Sequence, residues 1–232
     1  MRALVVVPAR MASTRLPGKP LATILGVPMV VRVARRAAAV PGVRVVVASG
    51  DAPVLAACEV ALVESIRTPK ELPSGTHRVG AAVASLGIDG VPVVNVQGDE
   101  PFVEPADIEA ALAAVESGAP IATLAAPLLG DPHCRDRVKV RVSASGTAEA
   151  FSRLSLGAPH WQHLGLYAFA PGMLRELLTL PETPGERLER LEQLRWLEHG
   201  HAIHVARVRR AGLAVDTPED LRAARDAAAR SL

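Results

Sequence analysis

Ala3-Leu4-Val5-Val6-Val7 is an unbroken aliphatic run that meets Pro8 and then Arg10. Nothing polar alternates within it, the mark of a strand covered on both faces. Two later segments, residues 43–48 and 91–96, share the valine-rich character. Between these runs, residues 28–40, 52–59 and 75–86 are longer, alanine-rich and amphipathic, and they read as helices. Strand–helix–strand alternation predicts an α/β fold: a doubly wound, Rossmann-like sheet, mostly parallel, with helices on both faces. Such sheets bind ligands beyond the carboxyl ends of their strands. The segments that follow strand ends are therefore the ones to read for function.

The pattern changes after about residue 120. Residues 121–127, 138–142, 149–151 and 163–170 read as strands with few long helices between them, predicting a mixed or antiparallel insertion on the sheet edge. Helices return at 171–178, 186–198 and 218–229. The last has a clear start: Thr217 as N-cap, Pro218 in the first turn and Asp220 three residues after the cap. In the helix at 186–198, Leu188, Leu191, Leu194 and Leu197 form an apolar stripe, with Glu192 and Gln193 flanking it. No repeat or low-complexity linker divides the chain, so residues 1–232 read as one domain.

Composition removes several classes of function. The 232 residues carry 26 Lys and Arg against 24 Asp and Glu, a net charge of +2, which argues against a dedicated nucleic-acid binder. A hydrophobic fraction of 49% excludes a mainly disordered chain. No run approaches the ~20 apolar residues of a membrane span, and the first apolar run is too short for a signal peptide. Cys58 and Cys134 alone make neither a disulfide framework nor a zinc site, so a reducing cytoplasm is expected. The three Phe, two Trp and one Tyr all lie beyond residue 100, leaving aliphatic side chains to fill the core of the first half.

The loop after the first strand, Pro8-Ala9-Arg10-Met11-Ala12-Ser13-Thr14-Arg15-Leu16-Pro17-Gly18-Lys19-Pro20-Leu21, carries three cations, two hydroxyls and a glycine. That chemistry suits a polyphosphate, although a solvated basic loop would have the same composition. It is not a P-loop, which needs Gly at position 13 and Ser or Thr after the lysine. Asp99 follows another strand end, with Gly98 before it. A carboxylate placed there and facing a triphosphate suits Mg²⁺; it could equally cap the helix that begins near Pro105. Asp216 precedes the capped helix at Thr217. Ser74-Gly75-Thr76-His77-Arg78 opens a helix, where hydroxyls and free N–H groups can hold nucleotide oxygens as well as cap the helix.

Residues 8–21 closely resemble the N-terminal signature of the sugar-activating cytidylyltransferases, in particular the branch acting on 3-deoxy-manno-octulosonate (KDO). Further blocks match in order: Ser74-Gly75-Thr76-His77-Arg78, Asn95-Val96-Gln97-Gly98-Asp99-Glu100-Pro101, His163-Leu164-Gly165-Leu166-Tyr167, Leu191-Glu192-Gln193-Leu194-Arg195 and Val215-Asp216-Thr217-Pro218-Glu219-Asp220-Leu221. The resemblance implies a homodimeric enzyme that joins CTP to the anomeric hydroxyl of KDO and releases pyrophosphate. It implies a nucleotide site lined by Pro8, Ala9, Arg10, Thr14, Ser74, Gly75, Thr76, Arg78, Gln97 and Gly98. Arg15 and Lys19 would hold the triphosphate, and Asp99 and Asp216 would bind Mg²⁺ with Glu100 behind them. Arg153 would take the sugar carboxylate, and His163, Tyr167, Glu192 and Gln193 its hydroxyls. The regions at about 120–170 and 186–216 would carry the sugar site and the dimer contacts. Three departures stand out: similar enzymes usually have an acidic residue in place of His77, a longer loop than residues 153–163, and a Gly-rich approach to Asp216 where this chain has residues 209–214. Another acidic sugar, such as an amino-KDO or a nonulosonic acid, is the nearer alternative acceptor. A non-catalytic nucleotide-binding module is the more distant reading.

Overall fold

A computed structural model describes residues 1–230, which fall into two compact units. One holds residues 1–108 together with the chain from Gly212 onward; the other holds residues 109–211.

The first unit opens with β1 (Ala3–Ala9), every residue of which is buried. A two-stranded hairpin, β2 (Thr23–Ile24) and β3 (Val27–Pro28), leads into α1 (Met29–Ala37). Then come β4 (Val43–Ser49), α2 (Ala52–Val60), β5 (Ser65–Arg67), α3 (Gly75–Leu86) and β6 (Val93–Asn95). The strand order is β6-β1-β4-β5, and all pairs are parallel. The aliphatic run at β1 follows from this position. It has a strand on each edge, and α1 and α3 pack against it. Each fully buried valine there contributes on the order of 1.5–3 kcal/mol by leaving water. The parallel sheet and alternating helices agree with the expected fold class.

The division between the units falls inside α4 (Pro105–Glu116). The second unit contains β7 (Ile121–Pro127), β8 (Lys139–Val142), β9 (Ala148–Ser152), β10 (Trp161–Phe169), α5 (Met173–Leu177), α6 (Pro184–Glu189), α7 (Glu192–Glu198) and β11 (Ile203–Arg207). β7 pairs antiparallel with β10 and parallel with β11, while β8 bridges β10 and β9 antiparallel. The expected mixed insertion is thus present. Its core is aromatic: Phe151, His163, Tyr167, Phe169 and Trp196 form a chain of ring contacts with centroids 5.0–6.1 Å apart.

The single helix expected at 186–198 is two helices. Arg190 adopts a left-handed conformation (φ 53°) that closes α6, and Leu191 then opens α7. The break changes the expected apolar stripe: Leu188 is 85% exposed, while Leu191, Leu194 and Trp196 are buried.

Chain order ends with α8 (Pro218–Ala229), back in the first unit. The capping box read from the sequence is formed in both directions. Leu221, Ala224 and Ala228 on its inner face bury themselves with Leu16, Ile24, Met29 and Val215.

Candidate active site

The loop after β1 is held by its own backbone and by one acid. Ser13 N–H donates to Met11 O (2.9 Å), Lys19 N–H to Leu16 O (3.1 Å), and Met11 N–H to the Asp51 carboxylate (2.8 Å). Gly18 takes a left-handed conformation (φ 70°), open to glycine at little cost, and starts the short 3-10 turn Lys19–Leu21. The turn delivers Lys19 to two carboxylates. Its Nζ lies 2.6 Å from Asp99 Oδ2 and 3.0 Å from Asp216 Oδ1, while Arg15 Nη2 lies 3.1 Å from the same Asp216 oxygen.

Asp99 and Asp216 are distant in sequence, and one backbone bond brings them together. Val215 N–H donates to Asp99 O at 2.9 Å. Asp216 is then fixed at the start of α8, its N–H donating to the capping carboxylate of Asp220 (3.1 Å). Burial works against the Lys19 charge, but Asp99 and Asp216 outweigh it and raise its pKa. Glu100, beside Asp99, goes the other way: burial first, then the charges of Asp99, Asp107 and Asp216, push its carboxyl up to about 7.

Arg15, Lys19, Asp99 and Asp216 line a cavity of about 380 Å³ in the first unit, together with Pro8, Ala9, Arg10, Thr14, Ser74, Gly75, Arg78, Gln97 and Gly98. Thr76, expected there, is absent from the lining and is buried in α3. Arg78 reaches the cavity wall, and three of its guanidinium N–H groups are engaged within the chain. It donates to Thr68 Oγ1 (2.6 Å) and to the carbonyls of Pro69 (2.9 Å) and Lys70 (3.0 Å). Its visible work is to hold the 68–70 segment against α3. Gly98 is required by the chain itself: a Cβ there would sit 2.8 Å from Pro8 O, so the close approach is to β1's own carbonyl.

Ala12, Ser13, Pro20 and Leu72 also line the cavity. The first three lie inside the basic loop already singled out, while nothing in the sequence marks Leu72. Asp51, whose carboxylate anchors that loop at Met11, was likewise not read; its signal was its position just after the β4 run.

The candidate sugar residues lie in the second unit. β10 bulges between Leu164 and Tyr167 opposite β7, which turns the Leu166 carbonyl onto the Thr123 hydroxyl (2.8 Å). His163 Nε2 lies 3.0 Å from the same hydroxyl oxygen. The ring is buried, and that burial pushes its pKa down to about 3. Tyr167 packs beside it with its ring tilted at 47°, ring centroids 5.4 Å apart. Burial, then the charge of nearby Glu192, raises the Tyr167 phenol well above its usual range. Gln193 is only 6% exposed. His163, Tyr167 and Glu192 are therefore brought together. Arg153 is anchored differently: its N–H and Nε donate to the carboxylate and carbonyl of Glu189 (both 3.1 Å), and Lys139 Nζ donates to its carbonyl (2.9 Å).

A family model described as cytidylyltransferase matches residues 4–203. The chain is 43% identical to the 3-deoxy-manno-octulosonate cytidylyltransferase of Verminephrobacter eiseniae (strain EF01-2), over 95% of this chain and 92% of that one. It is 44% identical to the protein of the same name from Parvibaculum lavamentivorans (strain DS-1 / DSM 13023 / NCIMB 13966), over 98% and 93% respectively. Among solved structures, a CMP:2-keto-3-deoxy-manno-octonic acid synthetase complexed with CTP superposes with a TM-score of 0.95 at 35% identity, covering both chains completely. A cytidylyltransferase from Leptospira borgpetersenii (serovar Hardjo-bovis, strain JB197) shares the fold with a TM-score of 0.68 at 16% identity, over 100% of this chain and 88% of that one. With a family model spanning residues 4–203 and relatives this similar along nearly the whole chain, the chain belongs to the cytidylyltransferases.

Proposed function

We propose that this enzyme transfers the cytidylyl group of CTP to the anomeric hydroxyl of KDO, giving CMP-KDO and pyrophosphate for lipopolysaccharide synthesis. The observation that carries this reading is the convergence of Arg15, Lys19, Asp99 and Asp216 on one cavity. The similarity along the full chain to proteins named for KDO activation supports the acceptor.

The reaction forms a bond from the KDO oxygen to the α-phosphorus and breaks the bond to the β-phosphate oxygen. The hydroxyl proton is lost, and pyrophosphate leaves with the electron pair. Arg15 and Lys19 are placed to neutralise charge on the departing phosphates, and fixed cations in a preorganised site stabilise charge that grows in the transition state.

Mg²⁺ fits the donor set. Among the described residues no three His, Cys, Asp or Glu cluster as a metal site. Two carboxylates do meet at the Lys19 ammonium, and Mg²⁺ is commonly held by one or two carboxylates, with water and substrate phosphates completing its shell. Asp99 and Asp216 would hold it, and it would supply polarisation of the α-phosphate.

On the acceptor side, Arg153 is suited to the sugar carboxylate and His163, Tyr167, Glu192 and Gln193 to its hydroxyls. The enzyme acts as a homodimer in the cytoplasm. Leu129, Leu154 and Leu188 of the second unit are exposed, apolar surface that pairing would cover. No helix among the described residues is long and apolar enough to cross a membrane.

The test is pyrophosphate release with CTP, Mg²⁺ and a panel of acidic sugars, with the product identified by mass. KDO is expected to turn over fastest. Turnover of an amino-KDO or a nonulosonic acid with KDO inert would retain the transferase and replace the acceptor.

A further inference from the structure

One wall of the cavity is not built by the basic loop. Leu72, Ser74 and Gly75 line it, from the segment that runs into α3. These three bring no charge, whereas the basic loop brings Arg10, Arg15 and Lys19. Leu72 is half-buried and adds a branched apolar side chain to the lining. The strap before it, residues 68–70, is pinned from three sides. Arg78, only 4% exposed, donates to Thr68 Oγ1, Pro69 O and Lys70 O. Thr68 N–H donates to Ser49 O, at the end of β4, at 3.0 Å. Gly50 follows that strand end and meets the strap directly: an added Cβ would sit 2.5 Å from Lys70 Cα and 3.1 Å from Pro69 O. Its backbone is not left-handed, so position 50 needs a glycine for space.

A nucleoside triphosphate is charged at one end and uncharged at the other. Arg15 and Lys19 suit the first; the wall at 72–75 suits the second. We infer that Leu72 packs against the nucleoside, and that Gly50 is the positioning residue that lets the strap lie close enough to β4 to bring Leu72 there. An apolar side chain laid on a base or ribose face removes water from both surfaces. Small-molecule sites commonly pair such apolar walls with a few placed polar groups. Because the strap is pinned by the chain's own contacts, little ordering is left to be done when the ligand arrives. The inference rests on the reading of this cavity as the CTP site.

The test reads calorimetric affinity for CTP and for CMP, KM and kcat, and melting temperature. Leu72→Ala should weaken CTP and CMP binding equally, by about fivefold, because the two share the nucleoside and differ only in phosphates. The loss should fall on KM for CTP, with kcat and melting temperature close to wild type. Leu72→Met, of similar volume, should keep both affinities within about twofold. Gly50→Ala should displace the strap and weaken both nucleotides by about tenfold. In that background Leu72→Ala should cost less than about twofold more, because residues acting through one another are not additive. Thr68→Val, which removes one of the Arg78 acceptors, replaces Gly50→Ala should that variant not fold, with an expected loss of about threefold for both nucleotides. Unchanged CMP affinity in Leu72→Ala, a loss confined to CTP, or a fall in kcat as large as the loss in affinity overturns the inference. So does wild-type affinity in the strap variant. Each of these leaves the cavity's reading intact, whereas a wild type that binds neither nucleotide sinks that reading itself.

Discussion

Lys19 sits where two carboxylates meet, and its raised pKa keeps it cationic across the working range. Arg15 shares the Asp216 oxygen from a more exposed position. On the proposed function, both cations would meet the β- and γ-phosphates of the triphosphate. CMP lacks those phosphates, so Arg15→Ala should cost far more with CTP than with CMP. We expect a drop of about 10²-fold in turnover and CMP affinity within about threefold of wild type, checked by pyrophosphate release and calorimetry. Equal losses for the two nucleotides would place Arg15 on the cytidine instead. At this scale the basic loop could be read directly from its charge and its strand-end setting. The partnership of Lys19 with Asp99 and Asp216 could not, since 80 and 197 residues separate the pairs; only the family resemblance joined them. Sequence marks Arg78 as a nucleotide contact but does not show that part of its guanidinium is engaged by the 68–70 segment.

α8 is the element that makes the acidic pair. Its capping box fixes Thr217 and Asp220, Asp216 hangs from that cap, and the Val215–Asp99 backbone bond aligns the helix-start Asp216 with Asp99. Thr217→Ala removes the cap hydroxyl that receives the Asp220 N–H, and should cost about 1 kcal/mol of stability. It should also lower turnover well beyond what that loss explains, because Asp216 loses its fixed aim. Thermal melts and kinetics on the same preparation separate the two effects; full activity with a lowered melting temperature would make α8 a structural element only. This helix was fully legible, since Thr, Pro and Asp stand at the cap positions that fix a helix start. β1 was legible too, because a central parallel strand must be apolar throughout. The break between α6 and α7 was not. It turns on a left-handed Arg190, and a glycine at that point would have announced it. β11 was missed although its inward positions alternate in the manner of a half-buried strand.

Across the whole molecule, the second unit stores a pH dependence in its aromatic core. His163 is held neutral by burial, with a pKa of about 3 against an ordinary 6.5. The unfolded chain takes up a proton below about pH 6.5 that the folded chain refuses, so the folded state is favoured fully above that pH and loses ground as pH falls toward 3. The loss is on the order of 4–5 kcal/mol over that window. Denaturant titrations from pH 7 to 4.5 should show stability falling with pH, and His163→Gln should flatten much of the slope. An unchanged slope would remove His163 as its source. The proposed chemistry belongs to the first unit. The most direct test is pyrophosphate release by Asp99→Asn with CTP, KDO and Mg²⁺, on protein whose circular dichroism and melting temperature match wild type. Turnover reduced by about 10²-fold or more is the expected result; near-normal release from the folded variant would contradict the assignment of Asp99 and Asp216 as the acidic pair of a cytidylyl-transfer site.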